Sequence, residues 1–311
     1  MTLTMDQIKF DTRIPDMPGR VPVVRVKTPC LHEREGNLKR LSDRMQLGEV
    51  TRVDTRYGVT LASKRGEVEF FADSGGMWTA DVAALEAGEN EMRKWDGLER
   101  VRDGSGNPVF TLGRDQAAKA QEIAREMVEI GGFDMTHAGK PQLSMVQVAE
   151  FSEKGETLQE GAGEATISFG YALEGLPVLG AGAKAQVDLL PGARGDMTVA
   201  TAFHVWRAPE GSIVMDLGSS EAILDAGLLR DPELEAAVAK EGRITIQEME
   251  FGLMSLSAVH KQGVLFPILR VAGRVDLPKE EHFFFGSYLP AATPEAYAKI
   301  GVGGDYLGRT T

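Results

Sequence analysis

A single cysteine, Cys30, is all the thiol that 311 residues contain, which excludes an internal disulfide and any multi-cysteine metal or iron–sulfur site. Histidine is scarce too. The five imidazoles, His32, His137, His204, His260 and His282, never fall at ligand spacing, and there is no His-Glu-x-x-His, so no metal is expected. Long apolar runs are missing: nothing approaches the roughly 18 residues of a membrane helix, and Val21 to Val26, with Arg25 inside it, is strand-sized. Met1 to Pro18 has no basic region followed by an apolar stretch, so it does not read as a secretory leader. With a lone thiol, the expected location is the cytoplasm. Positive charge is also short, at 34 Lys+Arg against 46 Asp+Glu for a net −12, so neither nucleic acid nor a membrane surface is an expected partner.

Glycine is plentiful, with 36 residues, yet no phosphate cradle follows from it. Gly180-Ala181-Gly182-Ala183 lacks the third glycine and the following helix of a dinucleotide fingerprint. Gly301-Val302-Gly303-Gly304 has no lysine–serine partner. Both read as turns, and no cofactor is expected. Gly-x-Ser-x-Gly, the nucleophile elbow of the α/β-hydrolases, is absent.

What is present suits a globular chain with a full core: 42% hydrophobic and 26% charged residues. Leu31 to Leu47 carries apolar residues at helical spacing and stops at Gly48. Arg114 to Ile130 is the clearest helix, with Ala117, Ala120, Ile123, Ala124, Met127 and Val128 on one face and Gly131-Gly132 ending it. Strands are expected at Val50–Ser63, Glu67–Phe71, Met77–Val82 and Leu143–Phe151. Ser152 to Gly163 is polar and glycine-bearing, and reads as a connecting loop between an N-terminal lobe, 1–151, and a C-terminal lobe, 164–293.

The second lobe opens with Ala165–Leu173, followed by a hairpin of Lys184–Leu190 and Thr198–Arg207 with its turn at 191–196. Ser219 or Ser220 caps a helix to Leu229, Pro232 starts another to Lys240, and strands follow at Ile244–Leu253, Val264–Val275 and Glu281–Phe285. From Pro294 onward, 294–311 reads as a tail. Strands in runs separated by helices give an α+β class: two lobes of mostly antiparallel sheet with packed helices. Val21-Pro22-Val23-Val24-Arg25-Val26 and Phe266-Pro267-Ile268-Leu269-Arg270-Val271 look alike, which fits either chance recurrence of an edge-strand pattern or a diverged internal duplication.

Several segments carry a family resemblance. Phe169-Gly170-Tyr171-Ala172-Leu173-Glu174-Gly175-Leu176-Pro177-Val178 precedes a hairpin ending Trp206-Arg207, then come Ser220-Glu221-Ala222, the strand Ile244 to Glu250 and Leu265-Phe266-Pro267-Ile268. In that order, residues 166–290 resemble the bacterial YycH/YycI-like and PepSY-like α+β regulatory domains. The resemblance implies a fold, and a role in inhibition or ligand binding without catalytic residues. It carries no functional residue over. Sensor-kinase regulators of that group are anchored outside the membrane, whereas no anchor or export signal is read here.

Candidate chemistry comes from strand alternation. In Ala200 to Arg207 a period of two puts Ala202, His204 and Trp206 on one face and Phe203, Val205 and Arg207 on the other. The same spacing groups Ile244, Ile246, Glu248 and Glu250. His204, Glu248 and Glu250 are therefore the candidate acid–base residues, and Tyr171, Trp206 and Arg207 the candidate substrate contacts. The blander alternatives are a hydrogen-bonded core histidine and a solvated strand end, with Arg25 and Arg270 pairing with such acids. Phe283-Phe284-Phe285 cannot sit on one face, which leaves one side for a pocket, a lobe interface or a homodimer partner.

Two functional readings follow. One is a cofactor-independent enzyme of cyclase, isomerase or lyase type, acting on a small hydrophobic or amphipathic molecule in an apolar cavity. The other is a non-catalytic regulatory or protein-interaction module of the YycI/PepSY-like kind. A cavity lined by His204, Trp206 or Tyr171 separates the first from the second, which expects those residues in a filled core.

Overall fold

A computed structural model describes residues 3–86, 92–192, 196–278 and 281–302. In chain order it begins β1 (Ile8–Phe10), β2 (Arg20–Lys27), α1 (Leu31–Arg44), β3 (Thr51–Asp54), β4 (Gly58–Ala62), β5 (Gly66–Phe71), β6 (Met77–Asp81) and α2 (Val82–Glu86). The ribbon β7 (Leu98–Arg102) and β8 (Pro108–Leu112) precedes α3 (Arg114–Ile130). Then come β9 (Gln142–Phe151), β10 (Thr157–Phe169), β11 (Tyr171–Leu173), β12 (Leu176–Leu179), β13 (Ala185–Pro191), β14 (Met197–His204) and β15 (Ala208–Asp216). The chain closes with α4 (Ser220–Gly227), α5 (Pro232–Ala239), β16 (Arg243–Met254), β17 (Val264–Asp276), β18 (His282–Pro290) and α6 (Pro294–Lys299).

This is a mixed α+β fold with two eight-stranded sheets. Sheet I is built on the antiparallel ribbon β16–β17. β12 and β1 flank β16, β2 and β18 flank β17, and β11 and β15 extend the sheet. Both look-alike segments, and Leu176-Pro177-Val178-Leu179, which shares their apolar-Pro-apolar core, are strands of this sheet. Pro267 sits where the outer neighbour of β17 changes from β2, paired at Val264 and Leu265, to β18, paired from Ile268 onward. A residue without an N–H costs the ladder least at such a break.

Sheet II is antiparallel throughout, in the order β3-β4-β5-β6-β14-β13-β10-β9. Its inner face buries Val68, Phe70, Met77, Ile167, Val187 and Ala202 against Leu38 and Leu41 of α1 and Ala120, Ala124 and Met127 of α3. Val24, Val26, Leu253 and Leu265 of sheet I belong to the same apolar cluster, so the sheets share a core. The short helices α4 and α5 bring Ile223, Leu224 and Leu234 onto Ile244, Leu269 and Val271 of sheet I. Ser219 caps α4 and Asp231 caps α5, as side-chain acceptors do at helix starts.

The structure differs from the sequence expectation in two places that matter. Residues 152–163 are not a connector between lobes: a tight turn, closed by Ser152 N–H to Glu156 O at 2.8 Å, ends at Thr157, and β10 begins there. Strands from either side of that segment pair in sheet II, with Phe203 opposite Trp78. Nor is the segment from Pro294 all tail. Tyr297 of α6 is fully buried, and its hydroxyl donates to Pro267 O at 2.5 Å and accepts from Ala291 N–H at 2.7 Å. Residues 193–195 of the expected hairpin turn and Gly303-Gly304 lie outside the described residues.

Candidate functional site

His204 ends β14 with no exposed surface, and neither ring nitrogen has a hydrogen-bond partner among the described residues. Its ring lies 5.3 Å from that of Phe133, on the inner face of sheet II. Burial alone pushes its pKa down to about 3, so the imidazole is neutral at physiological pH and has no route for a proton. The expected acid–base role finds no support in this placement.

Trp206 and Tyr171 are also core residues. Their rings stack at 5.0 Å and 11°, Trp206 Nε1–H donates to Ala183 O at 3.1 Å, and the Tyr171 hydroxyl donates to Arg207 O at 2.9 Å. Burial holds the Tyr171 phenol above its ordinary range.

Arg207 is 1% exposed, and its hydrogen bonds among the described residues go to neutral acceptors. Its guanidinium donates to Ser255 Oγ and to the carbonyls of Leu256, Ser257 and His260, at 2.8 to 3.2 Å. Burial lowers its pKa to about 10, so the charge persists at neutral pH. The side chain ties the end of sheet II to the loop that follows β16.

Glu248 and Glu250 lie elsewhere. A β-bulge between Ile246 and Glu248 inserts a residue into β16 and reverses the alternation. Ile244 and Ile246 face α4 and α5, followed after the bulge by Met249 and Phe251, while Glu248 and Glu250 turn to the opposite face. There both reach Arg270 on the neighbouring strand, at 3.1 and 3.6 Å. They share a face with each other, but not with the two isoleucines, and no hydrogen bond joins either to His204.

A cleft that combines apolar and polar groups lies at the seam of the two sheets, with a volume of about 590 Å³. Phe169, Val178 and Leu179 give it apolar surface; Gln142, Ser168, Gln186 and Lys184 come from the sheet II side, and Arg270 and Tyr288 from sheet I. Pairing explains the convergence. Ser168 stands opposite both Gln142 and Gln186, forming a polar row, while Arg270 stands opposite Tyr288. Alternation alone would place each polar residue on an outward face. The register that lines them up is set by long-range pairing, which the sequence does not display.

Among the described residues no group of three or more His, Cys, Asp or Glu is placed to hold a metal ion, and no helix is long and apolar enough to cross a membrane. No protein-family model and no curated protein matches this chain. Among solved structures, it is similar to an uncharacterized protein from Eubacterium rectale ATCC 33656, with a TM-score of 0.55 and 9% identity over 94% of this chain and 90% of that one. At that identity the likeness is one of fold.

Proposed function

We propose that this protein is a non-catalytic binding protein whose ligand, a small amphipathic molecule, occupies the seam between the two sheets. The observation that carries the reading is the cleft of about 590 Å³, where an apolar floor meets a rim of amide, hydroxyl and cationic groups. That volume is in the usual range of small-molecule sites, roughly 300–1,000 Å³. Glu248 and Glu250 neutralise Arg270 locally, so the rim offers directed hydrogen bonds and the single charge of Lys184. A ligand with an apolar body and an oxygen-bearing head matches that lining. The resemblance of residues 166–290 to ligand-binding and inhibitory regulatory domains points the same way. The groups an isomerase or lyase would need, His204 and the two glutamates, are respectively sealed in the core and held in ion pairs.

Titration with 1-anilinonaphthalene-8-sulfonate, an amphipathic anion, followed by amide NMR shifts, tests this. Ser168→Trp fills the cleft and Lys184→Glu reverses its charge; each is expected to weaken binding about tenfold, the worth of one lost charged contact. His204→Leu is expected to leave the affinity unchanged. Shifts away from the seam, or binding indifferent to both cleft variants, would refute the reading.

A further inference from the structure

The face of sheet II turned away from α1 and α3 carries a row of half-buried aromatic, acidic and amide side chains, and α2 touches β5, β6 and β14. Cross-strand pairing sets Glu69 opposite Trp78, Trp78 opposite Phe203 and Phe203 opposite Gln186, continuing to Ser168 and Gln142. Phe71 meets Phe203 edge-on at 6.4 Å. Glu67 lies two residues before Glu69 on the same face. All of these aromatic rings and both glutamates are half-buried, so they are open to a partner.

The Glu67–Glu69 end of this face is acidic, and Lys184 lies at the far end, beside Gln186. Arg65, the cation nearest in sequence, is engaged by Asp81. Asp188, in the adjacent row, accepts from neutral donors among the described residues, Thr166 at 2.8 Å, Gln186 at 3.0 Å and Thr201. Burial and the neighbouring Glu67 hold the Glu69 carboxyl above its ordinary pKa, as expected of a carboxylate lacking a counter-ion. An aromatic floor edged by carboxylates with no ion-pair partner among the described residues recognises a flat organic cation, because a guanidinium stacks on indole while its N–H groups reach the acids. From Glu69 to Ser168 the row crosses four strand spacings, about 19 Å, which five or six extended residues span. Its amide and hydroxyl side chains can serve a peptide backbone, and a simple ammonium would leave them unused.

We propose that this face docks a basic, extended peptide segment of a partner protein, with an arginine or lysine over Trp78 between Glu67 and Glu69. The row ends in Gln186, Ser168 and Gln142 at the rim of the seam cleft, but the proposal rests on Glu67, Glu69 and Trp78, which lie outside that cleft.

The probe is a fluorescein-labelled hexapeptide alternating arginine and valine, read by fluorescence anisotropy and amide shifts, with a glutamate–valine peptide as its counterpart. Glu67→Gln/Glu69→Gln and, separately, Trp78→Leu are expected to weaken binding of the basic peptide about tenfold. Glu153→Gln/Glu156→Gln, at the exposed β9–β10 turn, removes the same net charge and is expected to change nothing. Shifts should cluster at residues 67–69, 78 and 203, and Lys184→Glu should leave them in place. Circular dichroism checks that each variant is folded; should Trp78→Leu unfold, the glutamine pair alone decides. Equal weakening by both glutamate pairs would mean diffuse attraction to an acidic protein. Displacement by spermine as effective on Trp78→Leu as on the parent would mean a polyamine site. Either result, or no binding, overturns the proposal.

Discussion

An imidazole buried with neither nitrogen partnered makes stability fall as the pH drops. His204 is neutral in the folded chain, with its pKa held near 3 by burial, whereas in the unfolded chain it returns to about 6.5. Below that value the unfolded state binds the extra proton. The stabilisation is therefore complete above about pH 6.5 and declines by up to ~1.4 kcal/mol per pH unit down to about pH 3. His204→Leu removes this dependence together with two unsatisfied polar atoms. We expect the variant to match or exceed the parent in urea midpoint at pH 7, and to show a flatter loss between pH 6.5 and 4. An acid limb as steep as the parent's would contradict this. Arg207 poses the opposite case, because its four acceptors are buried with it. Lysine cannot span them, so Arg207→Lys is expected to cost about 2–4 kcal/mol in urea denaturation. Composition put aromatic and polar residues at 204–207, and that much was legible; whether each group found a partner depends on loops 50 residues away.

Between elements, α1 completes the end of α3. Asn37 Nδ2–H donates to Ile130 O at 2.7 Å, and Arg34 donates to the carbonyls of Gly131 and Gly132, placing a cation where the helix dipole is negative. This requires Gly132. Its φ of +80° is left-handed, and a Cβ there would lie 2.0 Å from Arg34 Nη1. Gly132→Ala is expected to lower stability by about 1–3 kcal/mol, more than Arg34→Met, which loses only the cap. Thermal denaturation of the two variants orders them, and an alanine variant as stable as the parent would remove the argument. The helix itself was readable from its spacing, and Gly131-Gly132 marked its end. The bulge in β16 was not: one inserted residue moved Glu248 and Glu250 to the other face from Ile244 and Ile246, and nothing in Gln247 announces it.

At the scale of the whole molecule, polar composition is an unreliable guide to where a chain divides. Glu153 to Glu160 is polar because it forms the exposed end of a long hairpin, which needs solvated side chains and a glycine at φ +78°, Gly155, whereas Ala162 already lies in the core. Sheet II instead takes β3 to β6 from before that hairpin and β13 and β14 from after it, joined where Thr201 to His204 pair with Ala80 to Met77. The largest apolar cluster then draws on both sheets, and Ala120 and Met127 of α3 pack in it beside Ala202 and Val187. Neither half keeps a closed sheet or a complete core. Chains 1–155 and 156–311, expressed separately, are therefore expected to be poorly dispersed by amide NMR and prone to aggregation through the opened edges of β6 and β14. The intact chain is expected to unfold in a single transition, with tryptophan fluorescence and circular dichroism sharing one midpoint. If each half gave a dispersed spectrum and its own cooperative transition, the pairing of β6 with β14 would be an interface between independent lobes. If the halves recover the parent spectrum only when refolded together, that pairing is part of one core.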